Sequence, residues 1–373
     1  MGKIAIIHMY RGGEIRDDYY HVQEVGLAKA IRKRKPDTEI EVWMLAHPNV
    51  EFSERKISDG ITMLVIPSDG LGHQGKLNNR LLAERGISCA QINADNNLFV
   101  PNTLQYCNQH GIKAHLYIGT IHSDKKGLVA NWRSRLIAGR LARKYRNAKV
   151  YAKTPTVLNQ CRELGMQNVQ LFPVGLDLER LPVIHEEKAE LRNEFQMNAN
   201  QKWLLFVGRL EAYKQPQLAL ELLRELSDEY HLIMIGKGSM ADQLIRYAED
   251  NGLTDRLVML EQVPNVGVLR YAKACDYYVN FNEQEIYGMA ILEAMSAGCV
   301  PVALRAPGPE FIIENGTNGM LCGSIDEMKR VIQSTGDSVR KQMSSEAEKR
   351  IRDCFSWEYM LDAYASSAFE SYD

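Results

Sequence analysis

Two acids eight residues apart, Glu285 and Glu293, stand on either side of Ile286-Tyr287-Gly288-Met289-Ala290-Ile291-Leu292. Paired carboxylates suggest glycoside hydrolysis, where the two groups lie about 5–9.5 Å apart across one bond. Eight helical residues rise about 12 Å. Two carboxylates that bind different sets of hydroxyls fit that spacing better. An ordinary surface acid followed by a helix acid gives the same pattern. The apolar run Tyr277–Asn280 predicts a strand, Phe281–Gly288 a loop, and the next residues a helix through Ala297, closed by Gly298. A helix starting near Gly288 offers free N–H groups to a phosphate.

Gly208-Arg209-Leu210-Glu211-Ala212-Tyr213-Lys214 follows a second apolar run. Gly208 permits a tight turn, and Arg209 and Lys214 can reach a diphosphate and stabilise charge that develops on a leaving group. A surface turn with two solvated cations is the plainer alternative. Gly236-Lys237-Gly238-Ser239-Met240-Ala241, with Glu261 at the end of the next strand, imitates a dinucleotide fingerprint and supports an NAD-dependent oxidoreductase as a competing reading. It sits in mid-chain and leaves the acids and the Arg/Lys pair without a role. His122 closes an expected strand, His115–Ile121, at the end where ligands gather; a hydrogen-bonded structural histidine also fits there.

The elements that must hold these residues come in two similar sets. In the first half, strand Ile4–Ile7 leads to loop Arg11-Gly12-Gly13. A helix follows, with Val22, Val25, Leu27 and Ile31 on its apolar face, and then strand Ile40–Leu45. Further apolar runs cover Thr62–Ile66, Ala90–Asn93, Val150–Ala152 and Val169–Phe172. The second half repeats the plan. Strand Trp203–Val207 leads to a helix faced by Leu218, Leu222 and Leu226, then to strand Leu232–Ile235. A helix carrying Leu244, Ile245 and Ala248 precedes strand Leu257–Leu260, and Val300–Leu304 comes later. Strands alternating with helices predict parallel sheets covered on both faces. Pro173 to Pro182 reads as a linker, and Ser356 as the cap of a last helix.

Bulk properties agree with two soluble domains. The chain has 373 residues, 45% hydrophobic and 25% charged. No apolar run is long enough to span a membrane, and the start lacks the pattern of a signal peptide. The seven cysteines, with no metal-ligand or redox spacing, read as reduced thiols of a cytoplasmic protein. The net charge of −2 divides into about +9 up to Arg180 and about −11 beyond it. The basic half suits either a solvated face or an anionic partner. Between Arg133 and Lys149, Ile137, Leu141, Tyr145 and Ala148 form an apolar stripe edged by Arg133, Arg140 and Lys144. That pattern fits an anionic bilayer surface at the inner face of the membrane, or a helix packed on its own domain. A nucleic-acid partner is not expected.

As an ordered set, these residues resemble glycosyltransferase family 4. The matching pieces are Gly12-Gly13, His122, Gly175 with Asp177, Gly208-Arg209-Leu210 with Lys214, and Gly236 with Gly238. Glu285, Gly288, Glu293-Ala294-Met295, Ala297-Gly298, Pro301-Val302 and Ser356-Trp357 continue the series. The resemblance implies the α/β GT-B fold, two Rossmann-like domains facing across a cleft. An acceptor-binding domain would cover 1–175, with the closing helix 356–373 packed back on it, and a nucleotide-sugar-binding domain 183–355. It implies a retaining enzyme that moves a hexosyl or N-acetylhexosaminyl group from a nucleotide sugar, with UDP expected, onto a glycan, lipid-linked or protein acceptor. A bound metal is not expected, and no cofactor beyond the nucleotide sugar.

By position, the resemblance gives the nucleotide's ribose to Glu293 and the donor-sugar hydroxyls to Glu285. The diphosphate falls to Arg209 and Lys214, with backbone N–H groups of Gly12, Gly13, Met289 and Ala290. The base falls to the backbone near Val263, and His122 lies beside the reacting sugar. Gly236 and Gly288 complete the donor site. The chain departs from the family pattern at Val174, at Phe281-Asn282 and at Gln262. On this fold the competing readings are a nucleotide-sugar epimerase and a non-catalytic nucleotide-sugar binder.

Overall fold

The computed structural model describes residues 2–12, 19–121 and 128–369. The chain divides into two compact units, Met1–Asp177 with Ser356–Asp373, and Leu178–Phe355. Each is a mixed α/β layer structure around a mainly parallel sheet.

The first unit contains β1 (Lys3–Gly12), β2 (Ile40–Ala46), β3 (Ser53–Ser58), β4 (Ile61–Pro67), β5 (Asp69–Leu71), β6 (Gln74–Lys76), β7 (Ile87–Asn93), β8 (Lys113–Ile118), β9 (Lys149–Ala152) and β10 (Asn168–Leu171). Their order is β10-β9-β8-β7-β1-β2-β4-β3, with β5 and β6 forming a hairpin beside β1. The central strands are apolar runs because helices cover both faces; every residue of β2 is buried. Only β3 and the hairpin run antiparallel. These three strands carry no apolar alternation, and the sequence gives no strand signal for them.

The hairpin alters the expected Arg11-Gly12-Gly13 loop. β1 continues through Gly12 because β6 captures it: Tyr10 pairs with Gln74, and Arg11 N donates to His73 O at 2.7 Å. The Arg11 guanidinium donates to Ser68 O and Gly72 O. Gly13 lies outside the described residues. β8 stops at Ile118, short of the expected Ile121, because Asp95 Oδ1 accepts from Gly119 N at 2.6 Å and Thr120 N at 3.1 Å and draws the chain away.

The second unit contains β11 (Lys202–Val207), β12 (Tyr230–Ile235), β13 (Leu257–Leu260), β14 (Tyr277–Asn280), β15 (Val300–Leu304) and β16 (Met320–Cys322). They lie in the order β13-β12-β11-β14-β15-β16, all parallel. This is the doubly wound order. Helix Pro216–Glu225 buries Ala219, Leu220, Leu222 and Leu223 in the unit's core, with Leu218 at its edge. Helix Ala241–Asp250 buries Leu244 and Ala248 but leaves Ile245 exposed. Ile245 follows Leu244 directly, and consecutive helical residues do not share a face.

A helix from the far end of the chain, Trp357–Tyr364, completes the first unit. Ser356 Oγ caps it by accepting from Tyr359 N at 3.0 Å. Two glycines make its seat. A Cβ on Gly175 would lie 2.5 Å from Trp357 Cα, and one on Gly26 would lie 2.5 Å from the Trp357 indole. Beside them, Lys29 Nζ holds Asp177 Oδ2 at 2.8 Å. All seven cysteines are free thiols and six are buried.

Gly175→Ala therefore forces backbone away from backbone. It should cost about 1–3 kcal/mol, read as a fall of several degrees in Tm. Gly139→Ala is the control of opposite sign. It is a helical site with nothing within 4 Å of the added Cβ, so Tm should hold or rise. Equal Tm values for the two variants would refute the account of the seat.

Candidate active site

In the second unit, β11 and β14 lie side by side while the chain winds outward in opposite directions from them. Ligands collect beyond the carboxyl ends of strands at such a switch point. The loops that leave there are Gly208–Gln215 and Phe281–Gly288.

The first loop is fastened to its neighbour after β12. Leu210 N donates to Lys237 O at 2.8 Å, and Met240 N donates back to Leu210 O at 3.0 Å. Glu211 accepts from Ser239 N at 3.0 Å and Ser239 Oγ at 2.8 Å, which holds its carboxyl below the usual range. A Cβ on Gly236 would lie 1.8 Å from Gly208 O, and one on Gly238 would lie 2.2 Å from Leu210 O. Backbone packing thus accounts for the Gly-Lys-Gly spacing without a dinucleotide, and Glu261 only approaches Lys237, at 3.8 Å.

So fixed, the loop presents its cations. Lys214 Nζ meets Glu285 Oε2 at 2.5 Å, and Asn282 Nδ2 supports the same oxygen at 3.3 Å. Arg209 Nε donates to Tyr213 Oη at 3.0 Å. Lys214 and Glu285, 71 residues apart in sequence, are thus brought together. Asn282 and Tyr213 were missed. Tyr213's signal was legible: an aromatic beside one cation and four residues after the other.

Gly288, with φ +91°, starts helix Met289–Ser296. Its first amides, including Met289 and Ala290, have no intrahelical acceptor. The helix ends at Ser296, and Gly298 follows with φ +75°. Glu293 stands about one turn from the start. Its carboxylate has no hydrogen-bond partner among the described residues, and desolvation pushes its pKa up to about 7. Val263 follows β13, partly buried.

Gly12 belongs to the first unit, at the end of β1. His122 lies outside the described residues. The first unit has its own polar cluster between β1 and β7: His8 Nδ1 lies 3.0 Å from Glu24 Oε1, which also accepts from Asn93 Nδ2 at 2.8 Å. Burial raises the Glu24 carboxyl, but His8 and Lys153 outweigh it and hold the carboxyl below the usual range. Sequence reading assigned none of these three residues.

Glu293 carries a sign that can be checked. Its folded pKa stands above the ordinary 4.5, so the native state holds the extra proton between about pH 4.5 and 7 and loses stability as pH rises through that window. Glu293→Gln should match the parent's Tm near pH 4.5 and exceed it at pH 8. A Tm difference that does not change with pH would refute the assignment.

Comparison with known proteins covers the same ground. Residues 187–350 match the family model for glycosyl transferases group 1. N-acetyl-alpha-D-glucosaminyl L-malate synthase of Bacillus anthracis is 20% identical over 229 residues, 59% of this chain and 59% of that protein. D-inositol 3-phosphate glycosyltransferase of Geodermatophilus obscurus is 27% identical over 216 residues, 54% of this chain and 48% of that protein. The chain thus spans about half the length of the curated relatives it matches. Solved structures align over more of it. Sucrose-phosphate synthase from Thermosynechococcus elongatus superposes with a TM-score of 0.77 at 14% identity, over 97% of both chains. Anabaena HepE in complex with UDP-glucose gives 0.70 at 17% identity, over 97% of this chain and 98% of that one. Residues 187–350, most of the second unit, are thus similar to the glycosyl transferases group 1 family, and the chain takes the GT-B fold.

Proposed function

We propose that the protein is a retaining glycosyltransferase that moves a sugar from a UDP-sugar onto a glycan, lipid-linked or protein acceptor. The observation that carries this reading is the meeting of Lys214 and Glu285 at the switch point, with Arg209 on the same loop. A cation that neutralises phosphate and a carboxylate that accepts sugar hydroxyls suit the two halves of a nucleotide sugar. HepE, bound to UDP-glucose in its solved structure, supports the choice of nucleotide.

In this reading the bond from the anomeric carbon to the diphosphate breaks, and the nucleoside diphosphate leaves with the electron pair. The acceptor oxygen bonds to the same face of that carbon, and its proton passes to the departing phosphate. Arg209 and Lys214 offset the charge on the leaving group. Amides of Met289 and Ala290 bind the same phosphates. Glu285 holds the donor hydroxyls, Glu293 the ribose hydroxyls and the Val263 backbone the base. The first unit binds the acceptor.

The basic helix enters this reading in altered form. In helix Leu128–Lys144 and the residues just after it, Leu141 and Tyr145 are buried, so much of the expected stripe faces its own core. Trp132 and Leu136 are exposed instead, at 64% and 44%, along an edge shared with Arg135 and Arg140. This edge suits an anionic bilayer. Among the described residues, no helix is long and apolar enough to cross a membrane.

Two outcomes are expected. Arg209→Ala and Lys214→Ala should each lower turnover about 10²–10³-fold, with activity unchanged by a chelator. If the cations act as one unit, the double variant should lose less than the product of the singles. Near-parental rates in both, or activity abolished by chelation and restored by a divalent ion, would refute the assignment. Separately, the protein should float with anionic liposomes at low salt and release at high salt, and Trp132→Ser with Leu136→Ser should weaken that binding. Failure of the parent to float removes the membrane proposal.

A further inference from the structure

We propose that Tyr213 is a positioning residue that holds both diphosphate-binding cations in place; the inference rests on reading this site as a nucleotide-sugar site. Tyr213 is the middle residue of the single turn Ala212–Lys214 and is 40% exposed, so it is not a core side chain. Yet two cations converge on it. The Arg209 guanidinium carbon lies 5.3 Å from its ring centroid, and Lys214 Nζ lies 5.5 Å away. Its hydroxyl also accepts from Arg209 Nε.

Like charges held this close repel, and Arg and Lys are long side chains with many rotamers to lose. An aromatic ring offsets both difficulties, because its electron-rich face attracts cations and its own orientation has few degrees of freedom. Glu285 restrains Lys214 from the other loop. Tyr213 is the only one of these partners that contacts both cations from within their own loop. The turn ends at Gln215, a non-glycine residue at φ +52° that also starts helix Pro216–Glu225. The ring is therefore carried by a backbone with little freedom.

Removing the ring should cost diphosphate recognition and leave recognition of the base and ribose intact. The test is calorimetric titration of the parent, Tyr213→Phe and Tyr213→Leu. The ligands are UDP, GDP and ADP, each beside its nucleoside. For the diphosphate that the parent binds, Tyr213→Leu should lose about tenfold in affinity. Tyr213→Phe keeps the ring and lacks only the hydroxyl, so it should lose about threefold. Nucleoside affinity should be unchanged in both. Diphosphate binding equal to the parent's in Tyr213→Leu would overturn the proposal. So would an equal loss for nucleoside and diphosphate, which would mark Tyr213 as a support for the whole loop. If the parent binds none of the three diphosphates, the nucleotide-sugar reading fails and takes this proposal with it. That result is distinct from either variant outcome.

Discussion

The site depends on how closely two backbones approach. The loops after β11 and β12 touch where only a hydrogen fits, at Gly236 against Gly208 O and at Gly238 against Leu210 O. That contact lets Leu210 exchange hydrogen bonds with the neighbouring loop and lets Glu211 clamp Ser239. Arg209 and Lys214 then project from a loop fixed at several points along its length. A charged group that stabilises developing charge is worth most when it needs no rearrangement.

The opposite end of the same sheet is anchored by a buried charge. Asp276, immediately before β14, accepts from Trp203 N at 2.9 Å. It also meets Lys188 and Arg340 at 2.8 Å and Arg192 at 2.7 Å. Burial by itself would raise this carboxyl, but the three cations reverse the effect and hold it below the usual range. A buried carboxylate with several partners is destabilising to break, although such a cluster need not add net stability. Here it joins helices Lys188–Glu194 and Asp337–Cys354 to the strand whose other end feeds the Glu285 loop.

Much of this was legible in the sequence, and the exceptions have physical causes. Parallel strands buried on both faces are apolar runs, so β2, β4, β11 and β12 announce themselves. The strand β3, Ser-Glu-Arg-Lys-Ile-Ser, lies on an edge where solvent tolerates charge, and it looks like a loop. Gly12 looked like a free turn because the hairpin that captures its neighbours Tyr10 and Arg11 lies some sixty residues away. The glycine pair at 236 and 238 imitated a cofactor signal, since glycine marks any close approach, whether of ligand or of backbone. Arg209, Lys214 and Glu285 stood out in the sequence because their chemistry is explicit. Tyr213 was overlooked because aromatic residues usually signal packing.

The first unit is assembled from both ends of the described chain, and this shapes how it comes off the ribosome. Its sheet is translated early, but the notch lined by Gly26 and Gly175 is filled only by Trp357, after the whole second unit has been made. Domains tend to fold in the order in which they emerge. The nascent first unit must therefore wait with an apolar notch exposed while about 180 residues are synthesised, roughly 10–40 seconds at cellular elongation rates.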